Sequence, residues 1–213
     1  MVQLFPGPAG RIEALVDNPG AACTTGRGEM ASAPRATVVI AHPHPLHGGT
    51  MHTKVVFQVA KAFCRLGCAV VRFNFRGVGT SEGRFAEGLG EIEDYWSALE
   101  FASGRYPGTE LWAVGVSFGA WVAMCAGAND DRVANLVGIA PPVGLYDFSP
   151  VRDSGKPKFF VAGERDEVCS IRTLEAFYAH ASEPKDLVVI DGADHLFSGQ
   201  VTELADAVES LLG

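Results

Sequence analysis

A chain of 213 residues, 47% hydrophobic and 20% charged, is long enough for one substantial core and short for two, so a single domain over residues 1–213 is expected. Its formal net charge of -8, with no basic run anywhere, argues against a nucleic-acid partner, because phosphate binding needs clustered Lys and Arg. The opening Met1-Val2-Gln3-Leu4-Phe5-Pro6-Gly7-Pro8 has neither a charged leader nor a long apolar core, and no run of about eighteen apolar residues follows. A soluble, cytoplasmic protein with no membrane contact is the expectation.

The first patterned segment, Arg11 to Asp17, alternates and fits one member of a half-buried antiparallel edge pair within residues 10–33; the rest of that stretch is rich in Gly, Thr and Ala. Thr37-Val38-Val39-Ile40-Ala41 is a continuous apolar run, the mark of a strand covered on both faces. Beyond His42-Pro43-His44-Pro45-Leu46-His47-Gly48-Gly49, Val56, Val59, Ala60 and Phe63 recur at helical spacing, with Gly67 closing the helix. Ala69–Phe75 reads as the next strand. Ile92, Tyr95, Trp96 and Leu99 mark a helix that ends near Pro107.

Leu111 to Gly119 then runs as a strand, a sharp turn and a helix, with Ser117 between Gly115 and Gly119. Either Ser117 is a nucleophile on a strained turn, or it merely caps the helix behind it. That helix is so rich in Gly and Ala that it must lie deep. Leu136–Ala140, Lys158–Gly163 and Leu187–Ile190 are further apolar strands, the last suited equally to an edge or an internal place. Leu174, Phe177, Tyr178 and Ala181 mark one more helix, and Val201, Leu204, Ala205, Val208 and Leu212 mark the final one. Strands alternating with amphipathic helices predict an α/β fold, a doubly wound, mostly parallel sheet with helices on both faces. The stretch from Pro141 to Pro157 is too short for a helical cap domain, so the site should be open.

In such a sheet the reactive groups belong just past the carboxyl ends of the strands. Asp166 follows the strand that ends at Gly163, and His195 follows the last strand. In the order Ser117, Asp166, His195 these supply a nucleophile, an acid that orients the imidazole, and a base. Glu164 and Glu167 flank the acid, whereas Asp191 and Asp194 fit turn positions beside His195. An oxyanion hole needs two backbone N–H groups. Phe118, after the nucleophile and at a helix N-terminus, supplies one. In the loop after Ala41 the prolines have no N–H, so the second falls to His44, with Leu46 as the alternative.

His42, His44, His47 and His52 lack a carboxylate or cysteine partner, and Cys64 and Cys68 lack a second ligand pair, so neither a metal nor a cofactor is expected. The five scattered cysteines, Cys23 among them, read as reduced thiols. Arg76-Gly77-Val78-Gly79 lacks the features of a phosphate loop, and Asn74 and Arg76 are expected to make structural hydrogen bonds. Phe85, Trp121, Leu145, Tyr146, Phe148 and Phe197 are candidates for a substrate wall.

The segments Ala41–Gly49, Phe73–Ser81, Gly115–Gly119, Gly163–Asp166 and Gly192–Phe197 together resemble the α/β-hydrolases. More narrowly, they are similar to small lidless bacterial serine hydrolases with a His-Pro-His-Pro and Gly-Gly motif, relatives of the dienelactone hydrolases, with Ser117 where those enzymes use cysteine. The resemblance implies a serine esterase acting on small acyl esters or thioesters. A peptidase or amidase of the same fold and a catalytically silent binding protein are the alternatives. Nothing in the sequence fixes the oligomeric state.

Overall fold

The computed structural model describes residues 2–19 and 33–213. Cys23 and most of the Gly, Thr and Ala-rich stretch lie outside the described residues. Among the described residues the strands are β1 (Gln3–Gly7), β2 (Gly10–Asp17), β3 (Thr37–Ala41), β4 (Ala69–Phe73), β5 (Leu111–Val116), β6 (Val133–Ile139), β7 (Lys158–Gly163) and β8 (Lys185–Ile190). They form one sheet in the order β1-β2-β4-β3-β5-β6-β7-β8. β1 and β2 are antiparallel to their neighbours, and β3 to β8 run parallel.

The edge pair is real, but its first member is β1, which precedes the alternating segment, and Pro6 sits there because an edge strand tolerates a missing N–H. β8 takes the opposite edge. The helices are α1 (Lys54–Arg65), α2 (Leu89–Arg105), α3 (Phe118–Ala128), α4 (Ser149–Asp153), α5 (Ile171–His180) and α6 (Val201–Leu212). α4, a five-residue helix without a full apolar period, has no counterpart in the sequence pattern; it is the only helix between β6 and β7.

The continuous apolar runs are explained by two separate cores. Alternate residues of each strand face opposite ways, so Val38, Ile40, Val114 and Val116 meet α1 and α6, while Val39, Ala41, Ala113 and Ala162 meet the layer of α2 to α5. The chain leaves β3 toward β4 and returns to place β5 on the other side of β3. Loops therefore diverge above the β3–β5 pair and leave a crevice at the carboxyl ends of the strands, the place where open α/β sheets bind ligands.

Candidate active site

Ser117 stands at that crevice, between β5 and α3, with φ 54° and ψ -122°, a conformation that costs a non-glycine residue about 1–3 kcal/mol. The turn is held by the Ser117 N–H donating to Ile139 O at 2.8 Å and by Ser117 O accepting from Ala120 N–H at 2.8 Å. Gly115 and Gly119 permit the approach. A Cβ on Gly115 would strike the Gly119 carbonyl, and one on Gly119 would strike the carbonyls of Ala41 and His42. The Ser117 hydroxyl makes no cap bond to α3. It lies 2.7 Å from His195 Nε2, so the helix-cap reading is set aside.

His195 and Asp166 come from loops laced to each other. Glu164 N–H donates to Ile190 O at 3.0 Å and Arg165 N–H to Ala193 O at 2.8 Å, which brings the β7 and β8 loops together. Phe197, wholly buried in the α1/α6 core, anchors the segment behind His195. His195 Nδ1–H donates to Asp166 Oδ2 at 2.8 Å. The other carboxylate oxygen, Oδ1, accepts from Val168 N–H at 2.8 Å and Cys169 N–H at 2.9 Å, which leaves the buried Asp166 one free direction. With Nδ1 protonated, Nε2 is the acceptor that faces Ser117 Oγ–H. Asp194 is a turn residue as expected: its Oδ1 accepts from Leu196 and Ser198 N–H, and those bonds hold its carboxyl below the usual range. Glu164 accepts from Gly192 N–H and has no bond to His195.

The loop after β3 packs directly on the start of α3, with the His44 ring 4.8 Å from that of Phe118. Among the described residues the N–H groups of Phe118 and His44 have no hydrogen-bond partner within the protein. Leu46 differs: its N–H donates to His44 Nδ1 at 3.2 Å. Asn74 and Arg76 are structural, as their motif suggests. Asn74 accepts from Met51 N–H at 2.8 Å and donates to Glu13 at 2.8 Å, while Arg76 grips buried Asp94 with two bonds. Arg72 adds a bond to Met51 O at 2.9 Å, so β4 holds the far end of the same loop.

Of the candidate wall residues, Phe85, Trp121 and Tyr146 gather around Phe118 with ring centroids 6.0, 5.7 and 5.8 Å away, and Trp121 and Tyr146 stack at 4.5 Å. Phe148 and Phe197 are core residues instead, and Leu145 is exposed. An apolar cavity of about 500 Å³ lined by Phe5, Phe101 and Arg105 lies between β1 and α2 and shares no residue with this site. No group of three or more potential metal ligands occurs among the described residues, and no helix there is long and apolar enough to cross a membrane.

Sequence reasoning missed three groups that hold the others in place. The N–H groups of Val168 and Cys169 leave no mark in a side-chain pattern. His42 did leave one: a histidine at the end of a fully apolar strand is buried and must find a partner for each ring nitrogen.

The model of the family described as serine aminopeptidase, S33, matches residues 32–154. A protein of Rickettsia prowazekii described as uncharacterized is 34% identical, over 98% of this chain and 87% of its own length. An α/β serine hydrolase homologue from Coxiella burnetii shares 38% identity with a TM-score of 0.90, covering 100% of this chain and 97% of that one. A serine hydrolase without a lid from Xanthomonas campestris shares 32% with a TM-score of 0.88, over 99% of this chain and 92% of that one. With the family model matched over more than half its length and relatives of this identity along nearly all of it, the chain belongs to the serine aminopeptidase (S33) family of α/β serine hydrolases.

Proposed function

We propose that the protein is a serine hydrolase that cleaves small acyl esters or thioesters through an acyl-enzyme on Ser117, with His195 as base and acid and Asp166 as the orienting carboxylate. The observation that carries the reading is the unbroken line of short contacts, Asp166 Oδ2 to His195 Nδ1 at 2.8 Å and His195 Nε2 to Ser117 Oγ at 2.7 Å. Ser117 Oγ attacks the substrate carbonyl as its proton passes to His195 Nε2. The N–H groups of Phe118 and His44 receive the oxyanion. As the tetrahedral intermediate collapses, the bond to the alcohol or thiol breaks and His195 returns the proton to that leaving group. A water then gives its proton to His195 and attacks the acyl-enzyme, which releases the acid and restores Ser117.

The leaving group must lie within reach of His195, which comes from the β8 side. The acyl part then falls toward the β3 and β4 side, where Phe85 packs 5.0 Å from the His44 ring, a contact that suits an apolar acyl group. The run His42 to Gly49 supports the narrower kinship with dienelactone hydrolases, and the buried thiols of Cys68, Cys125 and Cys169 fit the cytoplasm.

A fluorophosphonate probe should label Ser117, as read by mass spectrometry of the tryptic peptide, and Ser117→Ala should lose the label. Ser117→Ala and His195→Ala should each lower kcat/KM on short-chain esters by several orders of magnitude. No label on Ser117, or activity that survives both changes, contradicts the reading and favours a silent binding protein. The family's description favours a second reading, hydrolysis of amides or of amino-terminal residues. Faster turnover of aminoacyl amides than of short-chain esters would select it.

A further inference from the structure

The mechanism above leaves one buried side chain of the β3 loop without a role. His42 is completely buried at the end of β3, and both of its ring nitrogens are engaged. Nε2 accepts the Phe75 N–H at 3.1 Å, and Nδ1–H donates to the Pro43 carbonyl at 2.6 Å. A peptide N–H can only donate and a carbonyl can only accept, so these partners fix a single neutral tautomer. The Pro43 carbonyl belongs to the same planar trans peptide as the His44 N–H. In such a unit C=O and N–H point in opposite directions. A bond that draws the carbonyl toward the His42 ring therefore turns the His44 N–H away from it, and polarises the peptide so that the N–H donates more strongly. Gly49 packs on the same unit, where a Cβ would collide with the Pro43 carbonyl, and the His44 carbonyl beyond it accepts from His47 and Gly49 N–H at 3.0 and 3.1 Å.

We propose that His42 is a positioning residue for the oxyanion hole: its Nδ1–H holds the Pro43–His44 peptide so that the His44 N–H faces the carbonyl oxygen of a substrate on Ser117. The inference rests on the acyl-transfer reading given above. Two near-isosteric changes separate this role from a merely structural one. Asparagine keeps a donor at the Nδ1 position and loses the acceptor, whereas glutamine keeps an acceptor near Nε2 and loses the donor.

His42→Gln should lower kcat on a short-chain ester on the order of 10²-fold with KM nearly unchanged, the scale of a lost oxyanion donor. His42→Asn should stay within about tenfold of the parent, and affinity for a trifluoromethyl ketone, whose adduct carries the same oxyanion, should fall in step with kcat. Equal kcat in the two variants, or an effect on KM alone, overturns the proposal. Thermal unfolding checks that both fold. Should His42→Gln fail to fold, Gly49→Ala pushes on the same peptide without touching His42 and is expected to lose kcat at least about tenfold; an unchanged kcat there overturns the proposal. Fluorophosphonate labelling of the parent protein keeps the two readings apart. A labelled Ser117 with an insensitive His42→Gln overturns this inference alone, and an unlabelled Ser117 overturns the reading beneath it as well.

Discussion

Asp166 spends three of its acceptor positions, two on the N–H groups of Val168 and Cys169 and one on His195. Asp166→Asn tests what the third is for. The amide oxygen can keep the two backbone bonds, but the amide NH₂ then faces His195 Nδ1 and forces the proton onto Nε2, where it can no longer accept from Ser117. Steady-state kinetics should show kcat lower by about 10²–10⁴-fold, with the urea midpoint little changed. His42 makes a second prediction at this scale. Burial lowers its pKa from an ordinary value of 6.5 to about 4. Between those values the unfolded chain binds a proton that the folded chain does not, so stability falls as pH drops from 6.5 toward 4 and levels off below. This group alone contributes about 3 kcal/mol to that fall. Urea unfolding of the parent and of His42→Asn at pH 7 and pH 4.5 isolates it, because the variant should lack this part of the slope.

Among the elements, α2 and α3 show how helices fix the crevice. α3 is nearly all Gly, Ala and small apolar residues, and this lets it sit so close that a Cβ on Gly127 would strike the side chain of Ala113 in β5. α2 is tied to the sheet by the fully buried Tyr95. The Tyr95 hydroxyl donates to Val39 O of β3 at 2.7 Å and accepts from Val114 N–H of β5 at 3.1 Å, so it bridges the two strands that lead to His44 and to Ser117. Tyr95→Phe leaves a carbonyl and an N–H without partners in a dry core, and should cost about 2–4 kcal/mol by urea unfolding. These placements were legible in part. The helical spacing of Ile92, Tyr95 and Leu99 puts Tyr95 on the inner face, but nothing in the spacing says that its hydroxyl would meet strand backbone.

Across the whole molecule, the two cores hold the thiols out of reach. Cys64, Cys68, Cys125 and Cys169 are all buried, and burial pushes Cys68 up to about 11 and Cys125 up to about 12. Since the thiolate is the reactive form, iodoacetamide at pH 8 should leave Cys68 and Cys125 unmodified in the native protein and alkylate them in urea, as mapped by mass spectrometry. Rapid native alkylation of either would mean that its core opens on the timescale of the reaction.

What the sequence determined by itself was whatever depends on local pattern. The order of apolar runs and helical stripes specified β2 to β8, every described helix but α4, and a mostly parallel sheet. The backbone demands of Gly115-Val116-Ser117-Phe118-Gly119 specified a tight turn, and the prolines at 43 and 45 limited which N–H groups the following loop has to offer. The tertiary structure decided whatever depends on residues distant in sequence meeting at one point. Of the acidic candidates it brought Asp166 to His195, with two backbone N–H groups holding the other carboxylate oxygen, and it committed the Leu46 N–H to the His44 ring. It sorted the aromatic candidates into a cluster around Phe118 and residues elsewhere. For Ser117 it removed the cap: the local pattern allows a helix cap, and the hydroxyl instead turns toward His195 because the β8 loop delivers an imidazole there.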